Sequence, residues 1–252
     1  MVAWTVGLMA MIALAGEVLR KTTHCAWFQI PVRYVRLEGQ LDHIRPAEVE
    51  QVLKPLLKDG CWGWDLSPLQ AAVKQLAWVD EVRIKRVWPD VIEVGIKEHL
   101  PYARWGEKDL LNAKGERFTP AGMAEFVGLP RLDGPEGHEK QLFSAYREMA
   151  EALARLQLKL IKLEVDARRS WQLTLEYAAH EPGVQGEKRT MVIVLGRTQP
   201  KEVFAKVVGF LTLLPAEQRQ RIYKLDARYE HGFAVQWRES SAFIEKTINS
   251  YG

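Results

Sequence analysis

The sequence predicts an α+β chain: an apolar N-terminal helix, a small β-α-α-β-β domain, then a mixed β domain with flanking helices. Three observations carry that reading. "VRIKRVWPDVIEVGIKE" (82–98) alternates apolar and charged residues on both sides of a Trp-Pro-Asp turn, the pattern of a β-hairpin with one buried face. A strand and two helical stretches precede that hairpin. Beyond Pro101, short alternating runs recur between two amphipathic helical stretches.

Residues 2–16, "VAWTVGLMAMIALAG", carry no charge, and Glu17, Arg20 and Lys21 follow. Fifteen helical residues span about 22 Å, and Val18 and Leu19 bring the stretch close to the roughly 30 Å of a bilayer core. Length and flanks favour a membrane anchor over 1–21. A cleaved signal peptide has an A-x-A match at Ala13-Leu14-Ala15 but no basic region before it, and a buried soluble helix is the third reading. The basic residues after the segment do not overturn the anchor, because long downstream domains cross largely regardless of such charges. Residues 22–31 are a connector.

"VRYVRLEG" (32–39) reads as a strand ending at Gly39. Pro46 opens a helix with Val49, Val52, Leu53, Leu56 and Leu57 at helical spacing and Gly60 as its stop; Pro55 bears on its last turn. In "DLSPLQAAVKQL", Ser67 reads as an N-cap, Pro68 as the first helical position and Gln70 as the partner in a capping box. The hairpin closes this domain, with Pro89 in the connection because it cannot donate a ladder bond.

From Pro101 to Glu239 the strands are short. "LLNAKGERFTP" (110–120) turns at Lys114-Gly115. Leu142, Tyr146, Met149, Leu153 and Leu156 mark one helix. Ile161, Leu163 and Val165, then Trp171, Leu173, Leu175 and Tyr177, mark two strands, and "MVIVLG" (191–196) a third. Pro200 opens a second helix through Leu214; "IYKLDARY" (222–229) turns through Glu230-His231-Gly232 into "FAVQWRE" (233–239). Residues 240–252 read as a polar tail.

Composition excludes some functions. Thirty-five basic against 32 acidic residues give a net charge of +3, too balanced for a nucleic-acid footprint. Cys25 and Cys61 form neither a metal set nor a disulfide framework; two unpaired thiols are favoured and one bridge stays open. No G-x-S-x-G, H-E-x-x-H or C-x-x-C occurs, and His99 and His138 do not read as metal ligands with their neighbouring glutamates, because sequence neighbours rarely face one another. "GVQGEK" (183–188) lacks phosphate-loop spacing and reads as a hairpin tip. The expectation is no enzyme, no metal and no cofactor.

"VRIKRVWPDVIEVGIKEHLPYARWG" resembles the FtsQ/DivIB family of bacterial cell-division proteins, most closely its Gram-negative FtsQ members. The agreement continues through "LLNAKGERFTP", "LPRLDGPEG", "RRSWQLTL", "VLGR" and "LDARYEHGFAVQW", covering residues 30–239. The resemblance implies a single-pass inner-membrane protein: a transmembrane helix, a periplasmic POTRA domain over 32–100 and a β domain over 101–239. It also implies a scaffold at the division septum that recruits the FtsB–FtsL pair, and through it the septal peptidoglycan synthase. A basic cytoplasmic tail is not among these residues, so the chain either starts late or has lost it; the loop 178–190 is longer than the family's.

In the family, FtsB adds a strand to the β domain near its last strand, a β-augmentation. Carried over, this places partner binding on Arg197, Arg228, Tyr229, Gly232, Ala234, Val235, Gln236 and Trp237. "FAVQW" has no charge and no proline, so it lacks the usual protections of a free edge. Alternation favours a core face for Phe233, Val235 and Trp237, and partner contact for Arg228, Tyr229 and the backbone of 234–236. For Arg197 the two readings balance. Trp88-Pro89-Asp90 reads as a cover for the POTRA core, or else as a dock for a further divisome membrane protein. Trp62 and Trp64 read as packing, with membrane proximity as the alternative. The rival functions are a POTRA-bearing transport or chaperone subunit, which would want several such repeats or a barrel, and a periplasmic hydrolase.

Overall fold

The computed structural model of the chain describes residues 32–58, 65–178, 188–230 and 232–238. The anchor reading of 1–21, the connector 22–31, Cys25, Cys61, Trp62, Trp64, the loop interior 179–187 and the tail 240–252 lie outside the described residues. Among the described residues no helix is long and apolar enough to cross a membrane. The chain divides between His99 and Leu100 into two compact units.

The first unit contains β1 (Tyr34–Glu38), α1 (Pro46–Lys58), α2 (Ser67–Lys74), β2 (Val79–Val87) and β3 (Val91–Glu98). β3 is central, parallel to β1 and antiparallel to β2. The alternation read in the hairpin decides which face is covered: Val82, Ile92, Val94 and Ile96 pack with Val49, Leu53, Leu69 and Val73 of the two helices. The β2–β3 turn is Trp88-Pro89-Asp90, with a cis Trp88–Pro89 bond.

Two expectations are corrected here. Glu93, expected on the solvated face, is only 5% exposed. It lies on the central strand between Arg36 of β1 and Lys85 of β2, and ion pairs with both cover it. Ser67 does not cap α2. Its backbone N–H donates to Asp65 Oδ1 at 3.0 Å, and the Gln70 side chain donates to the Val82 carbonyl at 2.8 Å, tying helix to strand.

The Glu98 carboxylate pins the loop that leads into α1. It accepts the His43 N–H at 3.1 Å and the Ile44 N–H at 2.8 Å, and His43 Nδ1 lies 3.0 Å away. The His43 ring stacks on Trp78 at 3.7 Å. Burial pushes the Glu98 carboxyl up, but the hydrogen bonds from Ile44, His43 and Asp42 together outweigh it and hold the group below the usual range.

The second unit has β4 (Pro101–Trp105), β5 (Asp109–Asn112), β6 (Arg117–Phe118), β7 (Arg131–Asp133), α3 (Glu139–Ala154), β8 (Lys159–Val165), β9 (Trp171–Ala178), β10 (Lys188–Gly196), α4 (Pro200–Leu213), α5 (Ala216–Gln220), β11 (Ile222–Asp226) and β12 (Ala234–Trp237). All nine strands form one sheet, in the order β12-β11-β10-β9-β8-β7-β4-β5-β6. α3 and α4 bury their apolar stripes in one core with the sheet: Leu142, Tyr146, Met149 and Leu153 from α3, Phe204, Val207 and Leu211 from α4.

The spacing read in β8 is off by one at its start. Leu160, Leu163 and Val165 are buried and Ile161 is half-buried. A register shift against β9 between Leu160 and Lys162 explains it, because a bulge resets the period of two.

Candidate functional site

Among the described residues the sheet order leaves β12 bonded on one side only, to β11. β10 and β11 run parallel, and the Ala227 N–H donates to the Val194 carbonyl at 2.8 Å. β12 returns antiparallel, setting Ala234 opposite Asp226 and Trp237 opposite Ile222. The ends of β10 and β11 and the start of β12 therefore share one end of the sheet.

Strand alternation decides which backbone groups stay free. The Arg238 N–H donates to the Arg221 carbonyl at 2.7 Å, so Arg238, Gln236 and Ala234 direct their backbone groups towards β11. Val235 and Trp237 direct theirs outward. The Val235 side chain and that of Phe233 pack on the core, with Phe233 against Phe210 of α4 at a centroid distance of 5.1 Å.

At the shared end, Arg228 is held by Asp226. Nη2 lies 2.6 Å from Oδ2, Nε lies 2.9 Å from Oδ1, and the Arg228 backbone N–H donates to Oδ1 at 3.1 Å. The Arg228 guanidinium holds the Asp226 carboxyl below the usual carboxylate range, and the same pairing raises Arg228. Gly196 lies beneath with φ +80°, and a Cβ there would come 3.0 Å from Arg228 Cγ.

The expected residues divide between two ends. Arg197, exposed just past β10, joins Arg228, Tyr229, Gly232 and Ala234 at the end where β12 begins. Tyr229 is 61% exposed. Gln236 is exposed and Trp237 is 47% exposed, both towards the other end. Phe233 and Val235 follow the core face that alternation favours, whereas Trp237 does not. The register slips between Ile222 and Lys224, so the pairing that carries Val235 onto the core is interrupted before Trp237.

Sequence reading missed Asp226 and Arg238. Asp226 had a signal, an acid two residues before an arginine at a strand end. Arg238 had none: its Nη2 donates to the Thr190 carbonyl on β10, and its guanidinium lies 5.5 Å from the Tyr223 ring centroid.

The opposite edge differs in kind. β6 has two residues, and Arg117 pairs with Asp109 at 3.2 Å and Glu139 at 3.4 Å. A short, charged edge resists strand addition; an uncharged four-residue edge invites it. No group of three or more metal-ligating side chains occurs among the described residues.

Two family models match the chain. One, described as cell division protein FtsQ/DivIB, C-terminal, covers residues 103–228; the other, POTRA domain, FtsQ-type, covers residues 30–99. The C-terminal match stops at Arg228, short of β12. Among curated proteins, the chain is similar to a protein named cell division protein FtsQ from Methylomonas methanica. The two are 31% identical over 215 residues, 85% of this chain and 82% of that one. Proteins of the same name from Xanthomonas campestris pv. campestris and Escherichia coli strain K12 are 31% and 30% identical, covering 82% and 83% of this chain and 70% and 74% of theirs.

Proposed function

Because the chain belongs to the FtsQ/DivIB family of cell division proteins, we propose that it is a non-enzymatic, membrane-anchored scaffold of the bacterial division complex that binds the FtsB–FtsL pair through the free edge of β12. The anchor is residues 1–21, and the POTRA and β domains, 32–100 and 101–239, stand in the periplasm at the septum. Recruitment of the pair links the protein to septal peptidoglycan synthesis.

The observation that supports this reading is that β12, among the described residues, pairs on one side only. An added strand would bond to the outward groups of Val235 and Trp237, giving affinity through the main chain. Around that strand, Arg197, Arg228 and Tyr229 at one end and Trp237 at the other supply the side chains that select a partner. Arginine and aromatic residues are the types that dominate binding energy at interfaces.

The test is calorimetric titration of the full chain in lipid nanodiscs with a soluble periplasmic FtsB–FtsL segment. Val235→Pro removes an outward N–H and should abolish binding while circular dichroism stays native. Ala234→Pro removes an inward bond to β11 and should lower stability as well. Tight binding by a natively folded Val235→Pro chain would place the partner elsewhere.

A further inference from the structure

We propose that the hairpin tip Trp88–Asp90, with Tyr34 beside it, rests in the headgroup layer of an anionic phospholipid bilayer and holds the first unit against it. The inference rests on the reading of residues 1–21 as a membrane anchor and adds a second, independent attachment.

The tip lies where the chain enters the domain. The Arg33 and Tyr34 N–H groups donate to the Asp90 carbonyl at 2.8 and 3.3 Å. Since β1 and β3 run parallel, the start of β1 and the β2–β3 turn share one end, and the chain leaves at the other, past Glu98. The ten-residue connector can reach at most about 35 Å. That keeps this end within reach of any membrane holding the anchor.

The side chains at this end have interfacial chemistry. Trp88 is 59% exposed and Tyr34 64% exposed, far more than core-covering aromatics would be. On the face away from the helices, Tyr34, Val91 and Val87 form one row across the three strands. The next row inward, Arg36, Glu93 and Lys85, holds two cations to one anion. Arg33 is exposed, and the Arg86 guanidinium lies 5.9 Å from the Trp88 ring centroid. Asp90 is the acid at the tip.

Amphipathic rings with basic residues behind them match a headgroup boundary, where Trp and Tyr concentrate and arginines meet anionic lipid. A protein partner fits less well. A stable interface needs about 800 Å² a side, and the apolar surface here is one row of side chains closed off by a charged row.

The test uses the full chain in phosphatidylethanolamine/phosphatidylglycerol nanodiscs. A nitroxide is placed at Asp90→Cys or, for control, at Gln40→Cys beyond the far end of β1, with Cys25→Ser and Cys61→Ser. The ratio of oxygen to nickel-chelate accessibility should be severalfold higher at 90 than at 40. It should fall to the level of position 40 in Trp88→Ser or Tyr34→Ser chains that remain folded by circular dichroism. Equal, water-like accessibility at both positions in chains that co-elute with the discs overturns this proposal and leaves the anchor standing. Failure to co-elute overturns the anchor reading and this proposal with it. Water-like accessibility at 90 that falls only when FtsB–FtsL is added would make the tip a protein surface and overturn the lipid contact.

Discussion

The Arg228 guanidinium closes on the Asp226 carboxylate two residues before it, with Nη2 2.6 Å from Oδ2. Asp226 is buried against the sheet while much of Arg228 remains exposed. The acid thus sets the posture of a residue that a partner can touch. Asp226→Ala should cost about 1–2 kcal/mol, the loss of charge-assisted bonds at a part-buried site, and weaken FtsB–FtsL binding. Arg228→Ala should weaken binding with a smaller drop in melting temperature. Equal affinity for wild type and both variants, by titration, would remove this pair from the site.

Acid should loosen both units. Asp226 and Glu98 are each held below the ordinary carboxylate range in the folded chain. Each therefore binds its proton more readily when unfolded, so its stabilisation is complete above the unfolded value near 4 and is lost as pH falls through the lower folded value. Melting temperature should be flat around neutrality and drop below about pH 4. Asp226→Asn should flatten part of that drop, which thermal melts from pH 7 to pH 3 would read.

Gly196→Ala joins backbone and site in one change. The left-handed conformation at Gly196 costs a residue with a side chain about 1–2 kcal/mol. The new methyl would also push the Arg228 stem away from Asp226. Lower stability together with weaker partner binding is expected; unchanged affinity would show that the posture of Arg228 does not matter.

The bulge in β8 gives a sharp contrast between neighbours. Leu160 is 2% exposed and belongs to the core, so Leu160→Ala should cost about 2–5 kcal/mol. Ile161→Ala should cost clearly less, because Ile161 is half-buried. Denaturant melts giving the reverse order would restore the unbroken alternation of Ile161, Leu163 and Val165.

That contrast marks what a chain of letters displays and what it hides. The hairpin is plain because Val82 and Ile84, and then Ile92, Val94 and Ile96, keep a period of two on either side of a turn that holds Pro89. β12 was plain as a strand, and its freedom from charge suggested an edge. Leu160 was hidden because a bulge leaves no residue type behind it. β4 and β7, of five and three residues, were hidden because their parallel pairing depends on partners far along the chain. Asp226 was in view within "LDAR", but only the fold shows that its carboxylate turns back to Arg228.

The parallel pairing of β10 with β11 also makes β12 depend on a long stretch of chain. A parallel neighbour needs a crossover, made here by α4 and α5, before β11 can dock and β12 can fold back upon it. Such a long-range closure carries an entropy cost that a hairpin between adjacent strands avoids. A chain cut before Ala234 lacks β12, so under the function proposed above such a fragment should offer FtsB–FtsL no strand to pair with, even where the rest of the sheet is folded.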